Sequence, residues 1–343
     1  MKILVGLSGG LDSTFAAHLL IEEGHEVVGA AVLMHGYTDV RSAETAAKQL
    51  GIPLVTIDRR EEFDREIIGN FADEYAAGRT PNPCILCNPL IKFGALCDYA
   101  EENGFDRIAT GHYAYICREN GRYFVREADD GKKDQSYVLY RLDQKQLSML
   151  LLPLSGLKKS DIRAEAVKLG YSAAKAEESL DVCFLPDGNY SGFVTARTGK
   201  TFPEGDFVDE NGKKLGRHSG LINYTVGQRK GLGNTFGRPM FVRTIDAGSN
   251  TVTVVPSGGE YFSKAYIDGL CFMKITPEML TDEYPCSVKV RYSAKKAPCR
   301  VKYDGNGVRV TFDEPVRAVA PGQSAVFYDG EDVLFGGFIR DGE

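Results

Sequence analysis

The segment VGLSGGLDST sets two glycines among Ser8, Asp12 and Ser13, between a short apolar run and a helical pattern. Backbone N–H groups converging at such a turn, with a helix N-terminus behind them, attract phosphate. The segment lacks the GxxxxGK[ST] pattern, so the lysine that usually reaches a terminal phosphate is missing from it. A plain strand-to-helix turn would use the same glycines for their dihedral freedom. The hydroxyls and Asp12 weigh toward phosphate.

The second chemical feature is cysteine. Cys84 and Cys87 stand in TPNPCILCN, where Pro81 and Pro83 are expected to break helical structure and expose the CxxC in a loop before a helix over 91–99. A helix N-terminus there should lower the thiol pKa and favour the thiolate, which is both nucleophile and metal ligand. Cys183, in SLDVCFLPDG, lies beside a Pro and Gly turn and could converge with them; it could equally be a small buried hydrophobe. Half of a structural zinc site is the alternative for the CxxC, but no second pair exists. The other five cysteines (97, 117, 271, 286 and 299) read as packing residues. The five histidines show no ligand spacing, and His112 in ATGHY follows an expected strand end, where nucleotide-site residues of open α/β sheets often sit.

Elements must position these groups. Apolar runs at 3–6, 27–33, 53–57 and 107–110 alternate with helical patterns at 13–23 and 43–50, the signature of a parallel α/β sheet. From about residue 201 short β-rich runs take over at 221–226, 251–255, 287–292 and 307–312, punctuated by Gly and Asn turns. The expected units are 1–200 as a Rossmann-like parallel α/β domain, 201–258 as a small central β domain, and 259–343 as a C-terminal β domain.

In 343 residues, 41 Lys plus Arg stand against 47 Asp plus Glu, so bulk charge announces no nucleic-acid binder. Two stretches are nevertheless acid-free, 213–243 and 288–302. They carry Lys213, Lys214, Arg217, Arg229, Lys230, Arg238 and Arg243, then Lys289, Arg291, Lys295, Lys296, Arg300 and Lys302. With Tyr224 and Tyr292 interleaved they suit folded RNA, against the plainer reading of solvated faces. No apolar run is long enough to span a bilayer and no secretory leader is seen, so a cytoplasmic protein without a membrane partner is expected. Eight cysteines in so long a chain do not make a disulfide scaffold.

SGGLDS at 8–13 resembles the loop of the N-type ATP pyrophosphatases, which adenylate a carbonyl oxygen. Further motifs are GRTPNPCILCNPLIKFG at 78–94, ATGHYA at 109–114, KDQSYVLYRL at 133–142 and SLDVCFLPDG at 179–188. GLINYTVGQRKGLG at 220–233, KVRYSAKKAPC at 289–299 and PGQSAVFYDG at 321–330 complete the series. Together they resemble the tRNA-specific 2-thiouridylase family over nearly the whole chain. The resemblance implies an ATP-binding α/β domain, a central β domain and a C-terminal β-barrel, acting with ATP and Mg2+ to replace the C2 oxygen of a tRNA wobble uridine with sulfur. It implies ATP contacts from Gly6, Leu7, Ser8, Gly9, Gly10, Leu11, Asp12 and Ser13, and from Val32 and Gly111. It places Asn82, Pro83 and Cys84 at the target base, and Lys133, Asp134, Gln135, Arg291 and Tyr292 against tRNA. Cys87 and Cys183 would be the catalytic pair: Cys183 takes sulfane sulfur from a donor such as a cysteine desulfurase or a relay protein, and a Cys87–Cys183 disulfide remains.

Two departures matter. Many family members carry Asp where this chain has Cys84, so three cysteines (84, 87 and 183) could instead hold a [4Fe-4S] cluster fed by free sulfide. The stretch 32–51 is also shorter than usual. Two rival readings are another adenylating synthetase, which would not need the three cysteines, and a tRNA-binding protein without chemistry, which would tolerate loss of Asp12.

Overall fold

The computed structural model describes residues 1–36, 38, 40–175, 182–185, 187–233, 236–280 and 283–342. Ile3, Leu4 and Val5 are fully buried because the strand Lys2–Gly6 is covered on both faces. It is the middle of a five-stranded sheet ordered Leu54–Asp58, Glu26–Leu33, Lys2–Gly6, Arg107–Ala109, Leu150–Leu151, with every pairing parallel. On one face Ile3 and Val5 meet Ala17 and Leu20 of the helix Leu11–Glu22 and Ala46 and Ala47 of the helix Val40–Leu50. On the other, Leu4 and Ile108 meet Phe93 and Leu96 of the helix Phe93–Glu102. Strand order reverses between Lys2–Gly6 and Arg107–Ala109, and ligands of open α/β sheets bind at the carboxyl ends of strands flanking such a switch.

A four-stranded sheet follows, ordered Met240–Asp246, Thr251–Pro256, Gly205–Val208, Lys214–His218, around Phe207, Val242, Val252 and Val254. The strand expected at 221–226 is instead a 3-10 turn, Leu221–Asn223, entered through Gly220 at φ +103°. Its apolar residues are buried as a plug, not as one face of a strand: Tyr224 packs edge-on against Phe207 at 5.2 Å.

The last unit is a barrel of six strands, closed by pairing of Tyr261–Phe272 with Asp332–Gly342. Its sheet also takes in the hairpin Tyr115–Glu119 and Arg122–Arg126 from the first 200 residues, through the bridge Asp332↔Arg126. The strand expected at 287–292 ends at Lys289, leaving Arg291 and Tyr292 in a loop. Part of each basic stretch proves to be neutralised by acids from elsewhere. Lys289 and Lys296 pair with Glu127 at 3.3 and 2.7 Å, and Lys214 and Arg217 pair with Asp206 at 2.7 and 3.0 Å. Among the described residues no helix is long and apolar enough to cross a membrane.

Candidate active site

The phosphate loop is shaped by contact. Gly9 has φ +79°, and a Cβ there would fall 2.2 Å from the carbonyl carbon of Ser42; a Cβ on Gly111 would fall 2.5 Å from that of Asp12. The loop hydroxyls are wired together: Ser8 N–H donates to Ser13 Oγ at 3.2 Å, Gly10 N–H to Ser8 Oγ at 3.3 Å, and Ser13 Oγ to Gly10 O at 3.2 Å. Gly6, Leu7 and Leu11 frame the loop. A Cβ on Gly6 would lie 3.1 Å from Leu96, Leu7 packs with Val27 and Ala46, and Leu11 packs beside Tyr113.

Asp12 is doubly held. Its Oδ1 accepts from Tyr113 Oη at 2.8 Å and its Oδ2 from Lys159 Nζ at 2.9 Å. The lysine missing from the loop motif therefore stands at the loop after all, delivered by the helix Lys159–Lys168 and largely buried with a side chain 13% exposed. Sequence reasoning missed both Lys159 and Tyr113. Tyr113 sits in the motif ATGHYA, but Lys159 in GLKKSD carries no spacing signal toward Asp12.

The prolines before the CxxC do not hold it in a loop. Pro83, at φ −63°, opens a helix whose first turn is Cys84–Cys87, and Asn82 Oδ1 accepts from Cys84 N–H at 3.1 Å. Proline suits a first helical turn because its missing N–H would be unpaired there anyway. The helix then widens into a π segment, Asn88–Lys92, that absorbs Pro89 and swings Lys92 into the site.

Around Lys92 gather Cys84, Cys87 and Cys183, each within electrostatic reach of its ammonium. Burial works against that charge, but the three thiols outweigh it and the net shift of Lys92 is upward. Cys87 is 5% exposed among Phe63, Ile67, Phe71 and Phe184, with its Sγ 3.9 Å from Met34 Sδ. Burial pushes its thiol up to about 12, against the pull of Lys92. Cys183 is exposed as a residue, yet the protein around its sulfur also raises its thiol. The lowering of thiol pKa expected at the CxxC is thus overturned for Cys87: desolvation is the larger effect. Nor is Cys183 a buried hydrophobe, since Phe184 and Leu185 take that part.

His112 links the two ends. Its Nδ1 lies 2.9 Å from Thr110 Oγ1 and its ring 5.4 Å from that of Phe93, and burial followed by Lys92 pushes it down to about 3, so it is neutral. Val32, at the carboxyl end of Glu26–Leu33, packs against the cluster that contains Cys87.

The structure also brings together the two groups assigned to tRNA. Tyr292 Oη donates to Asp134 O at 3.1 Å, and Tyr292 stands within electrostatic reach of Cys84. Gln135 Oε1 accepts from Tyr113 N–H at 3.0 Å, which ties this region to Asp12. Lys133 is half-buried beside them. The Asp134 carboxylate is spent inside the protein, on Ala128 N–H at 3.2 Å and Ser136 Oγ at 2.8 Å. Arg291 is partly buried and donates to Ala318 O at 2.6 Å. Of the SLDVCFLPDG motif, residues 179–181 and 186 lie outside the described residues.

Among the described residues no three His, Cys, Asp or Glu side chains stand as a ligand set for a metal ion. An iron cluster needs thiolates. Here Cys84, Cys87 and Cys183 are not gathered as such a ligand set, so the three cysteines as arranged do not fit one.

Residues 1–187 match the family described as tRNA methyl transferase HUP domain, residues 191–256 the tRNA methyl transferase PRC-barrel domain, and residues 263–339 the aminomethyltransferase beta-barrel domain. The chain is 41% identical over 357 residues to a tRNA-specific 2-thiouridylase MnmA of Acetivibrio thermocellus, covering 99% of each chain. It is 41% identical over 358 residues to the one of Clostridium acetobutylicum, again over 99% of each. Among solved structures, an NMN synthetase from Francisella tularensis aligns with a TM-score of 0.35 at 17% identity over 58% of this chain and 77% of that chain, a likeness too slight to argue from.

Proposed function

Because the chain belongs to the tRNA-specific 2-thiouridylase family, we propose that it uses ATP to replace the C2 oxygen of a tRNA wobble uridine with sulfur, releasing AMP and pyrophosphate. One observation carries this reading. Gly111 rests on Asp12 of the phosphate loop, and the next residue, His112, feels Lys92, which stands among the three cysteines. Two adjacent residues, Gly111 and His112, therefore bridge the nucleotide loop and the sulfur groups. Such a juxtaposition serves adenylation followed by sulfur attack, and a methyl transfer would need neither part.

The C2 oxygen of uridine is a poor leaving group. It attacks the α-phosphate of ATP, pyrophosphate departs, and the oxygen becomes part of AMP. Backbone N–H groups of residues 8–13 receive the phosphates, and Lys159 turns from Asp12 toward their negative charge. Mg2+ prefers hard oxygen ligands, and Asp12 is the loop carboxylate suited to it once Lys159 and Tyr113 let go.

Sulfur follows by thiol chemistry. Cys183, the exposed one of the pair, takes a sulfane sulfur from a donor protein to become a persulfide. The terminal sulfur attacks C2 and AMP leaves. Cys87, as thiolate, then attacks the Cys183 sulfur; the bond to the transferred sulfur breaks, 2-thiouridine is released and a Cys87–Cys183 disulfide remains, which a dithiol reductant reopens. Lys92 holds the thiolate that Cys87 must become. Neutral His112 adds no competing charge. The target base is flipped from the anticodon loop toward Asn82, Pro83 and Cys84, with Lys133, Gln135, Arg291 and Tyr292 beside the RNA.

The test is anaerobic incubation of the protein with unmodified tRNA and Mg-ATP, with either a persulfide donor or free sulfide, and quantification of 2-thiouridine by mass spectrometry. Product from the persulfide donor, lost in Cys183→Ser, is expected. Product from free sulfide that disappears on iron chelation would overturn the thiol route in favour of a cluster on Cys84, Cys87 and Cys183.

A further inference from the structure

A connecting segment normally gives its backbone polar groups to water. In residues 78–83, which lead into the cysteine helix, Thr80 gives both of its backbone groups to the barrel. Thr80 N–H donates to Pro321 O at 2.9 Å, and Thr80 O accepts from Gln323 Nε2 at 2.7 Å, so the barrel grips both sides of one peptide unit pair. Between those partners Gly322 has φ +88°, and a Cβ there would lie 3.0 Å from Thr80 N and 3.0 Å from Arg79 Cβ. The central β unit presses from its own side: Gly78 has φ +75°, and a Cβ there would lie 2.9 Å from Ile245 Cγ2. Thr80 Oγ1 is also 3.5 Å from Thr225 Oγ1. Arg79 Nε is drawn back to Glu74 at 2.7 Å.

The far end of the segment is the helix start itself. Asn82 Oδ1 caps Cys84 N–H at 3.1 Å, and Cys87 N–H donates to Pro83 O at 2.9 Å. From barrel and central unit the contacts reach Thr80, two residues before Asn82, which caps the turn bearing Cys84 and Cys87. We infer that residues 78–83 are a strap by which both β units set the position of Cys84 and Cys87, with Gly78 and Gly322 as its positioning residues. Its catalytic consequence rests on the thiolation reading above; its structural content does not. A strap tied to the units that grip RNA lets correct seating of the tRNA be felt at the sulfur groups.

The test uses full-length Gly322→Ala and Gly78→Ala, each forcing a Cβ into a strap contact, in two assays. First, without ATP or tRNA, iodoacetamide labelling is followed by peptide mass spectrometry. Exposed Cys84 serves as internal reference, and buried Cys97, 4% exposed in the core, reports general unfolding. Labelling of Cys87 relative to Cys84 should rise about ten-fold while Cys97 stays protected, since release of a buried thiol to solvent restores access and thiolate fraction. Second, kcat for thiolation should fall about ten-fold with KM for tRNA little changed, the mark of lost positioning rather than lost binding. Unchanged Cys87 protection in both variants, Cys87 and Cys97 labelling together, or a rise in KM alone overturns the strap. If the wild-type protein makes no 2-thiouridine, the thiolation reading fails and the labelling ratio still decides for or against the strap.

Discussion

The two ends of the candidate site are built on opposite principles. At the phosphate end nearly every polar group is already partnered: Ser8, Gly10 and Ser13 bond one another, and Asp12 is held by Tyr113 and Lys159. At the sulfur end Cys87 lies among phenylalanines, and one ammonium, Lys92, serves three thiols. The first is a polar network preorganised for an anion that arrives charged. The second is a buried apolar pocket that keeps the Cys87 thiol protonated. Preorganised dipoles act on charge already present, whereas desolvation withholds charge.

Asp12→Asn breaks the first principle most severely. AMP formation should drop by about 10²–10³-fold, the scale of losing one preorganised electrostatic group, while tRNA affinity holds. Turnover equal to wild type would remove Asp12 from the site. Lys92→Met attacks the second principle. Because Lys92 opposes the upward push of burial on the Cys87 thiol, the pH at which Cys87 becomes reactive toward iodoacetamide should move higher, and thiolation should slow by about ten-fold. Thermal stability should be kept or raised, because methionine removes a buried charge. A fall in melting temperature that parallels the loss of rate would make Lys92 merely structural.

His112 sharpens the comparison through pH. Its folded pKa of about 3 lies below the ordinary 6.5, so in acid the unfolded chain takes up a proton that the native state refuses. Its contribution is whole above pH 6.5 and declines by about 1.4 kcal/mol per pH unit as pH falls toward about 3. Urea midpoints of wild type and His112→Gln should therefore converge across that window, and parallel curves would contradict the assignment. Arg291→Ala should have the smallest effect: weaker tRNA binding with a salt slope reduced by about 1 if the guanidinium reaches a phosphate. An unaltered slope leaves Arg291 as the anchor of its loop on Ala318.

The division between legible and illegible follows distance along the chain. Residues 8–13 declare themselves because the groups that make the turn and those proposed to receive phosphate are the same short stretch. The parallel strands were legible for a similar reason, since full burial on both faces writes an unbroken apolar run such as Ile3–Val5. Leu221 and Ile222 misled because a short apolar run is equally a strand or a buried turn, and Gly220 decided for the turn.

The sequence by itself determined the phosphate loop, the order of the three units and the identity of the three thiols. Only the tertiary structure decided how those groups are charged and who stands beside them. Lys159 reaches Asp12 from 147 residues away, Glu127 cancels two lysines of a stretch that holds no acid of its own, and Pro89 turns Lys92 inward through a π segment. A pKa is set by the dielectric and the charges within several ångströms of an atom, and those neighbours come from every part of the chain. Residue type and spacing name the actors; desolvation and remote charge assign their protonation, and only the folded packing specifies those.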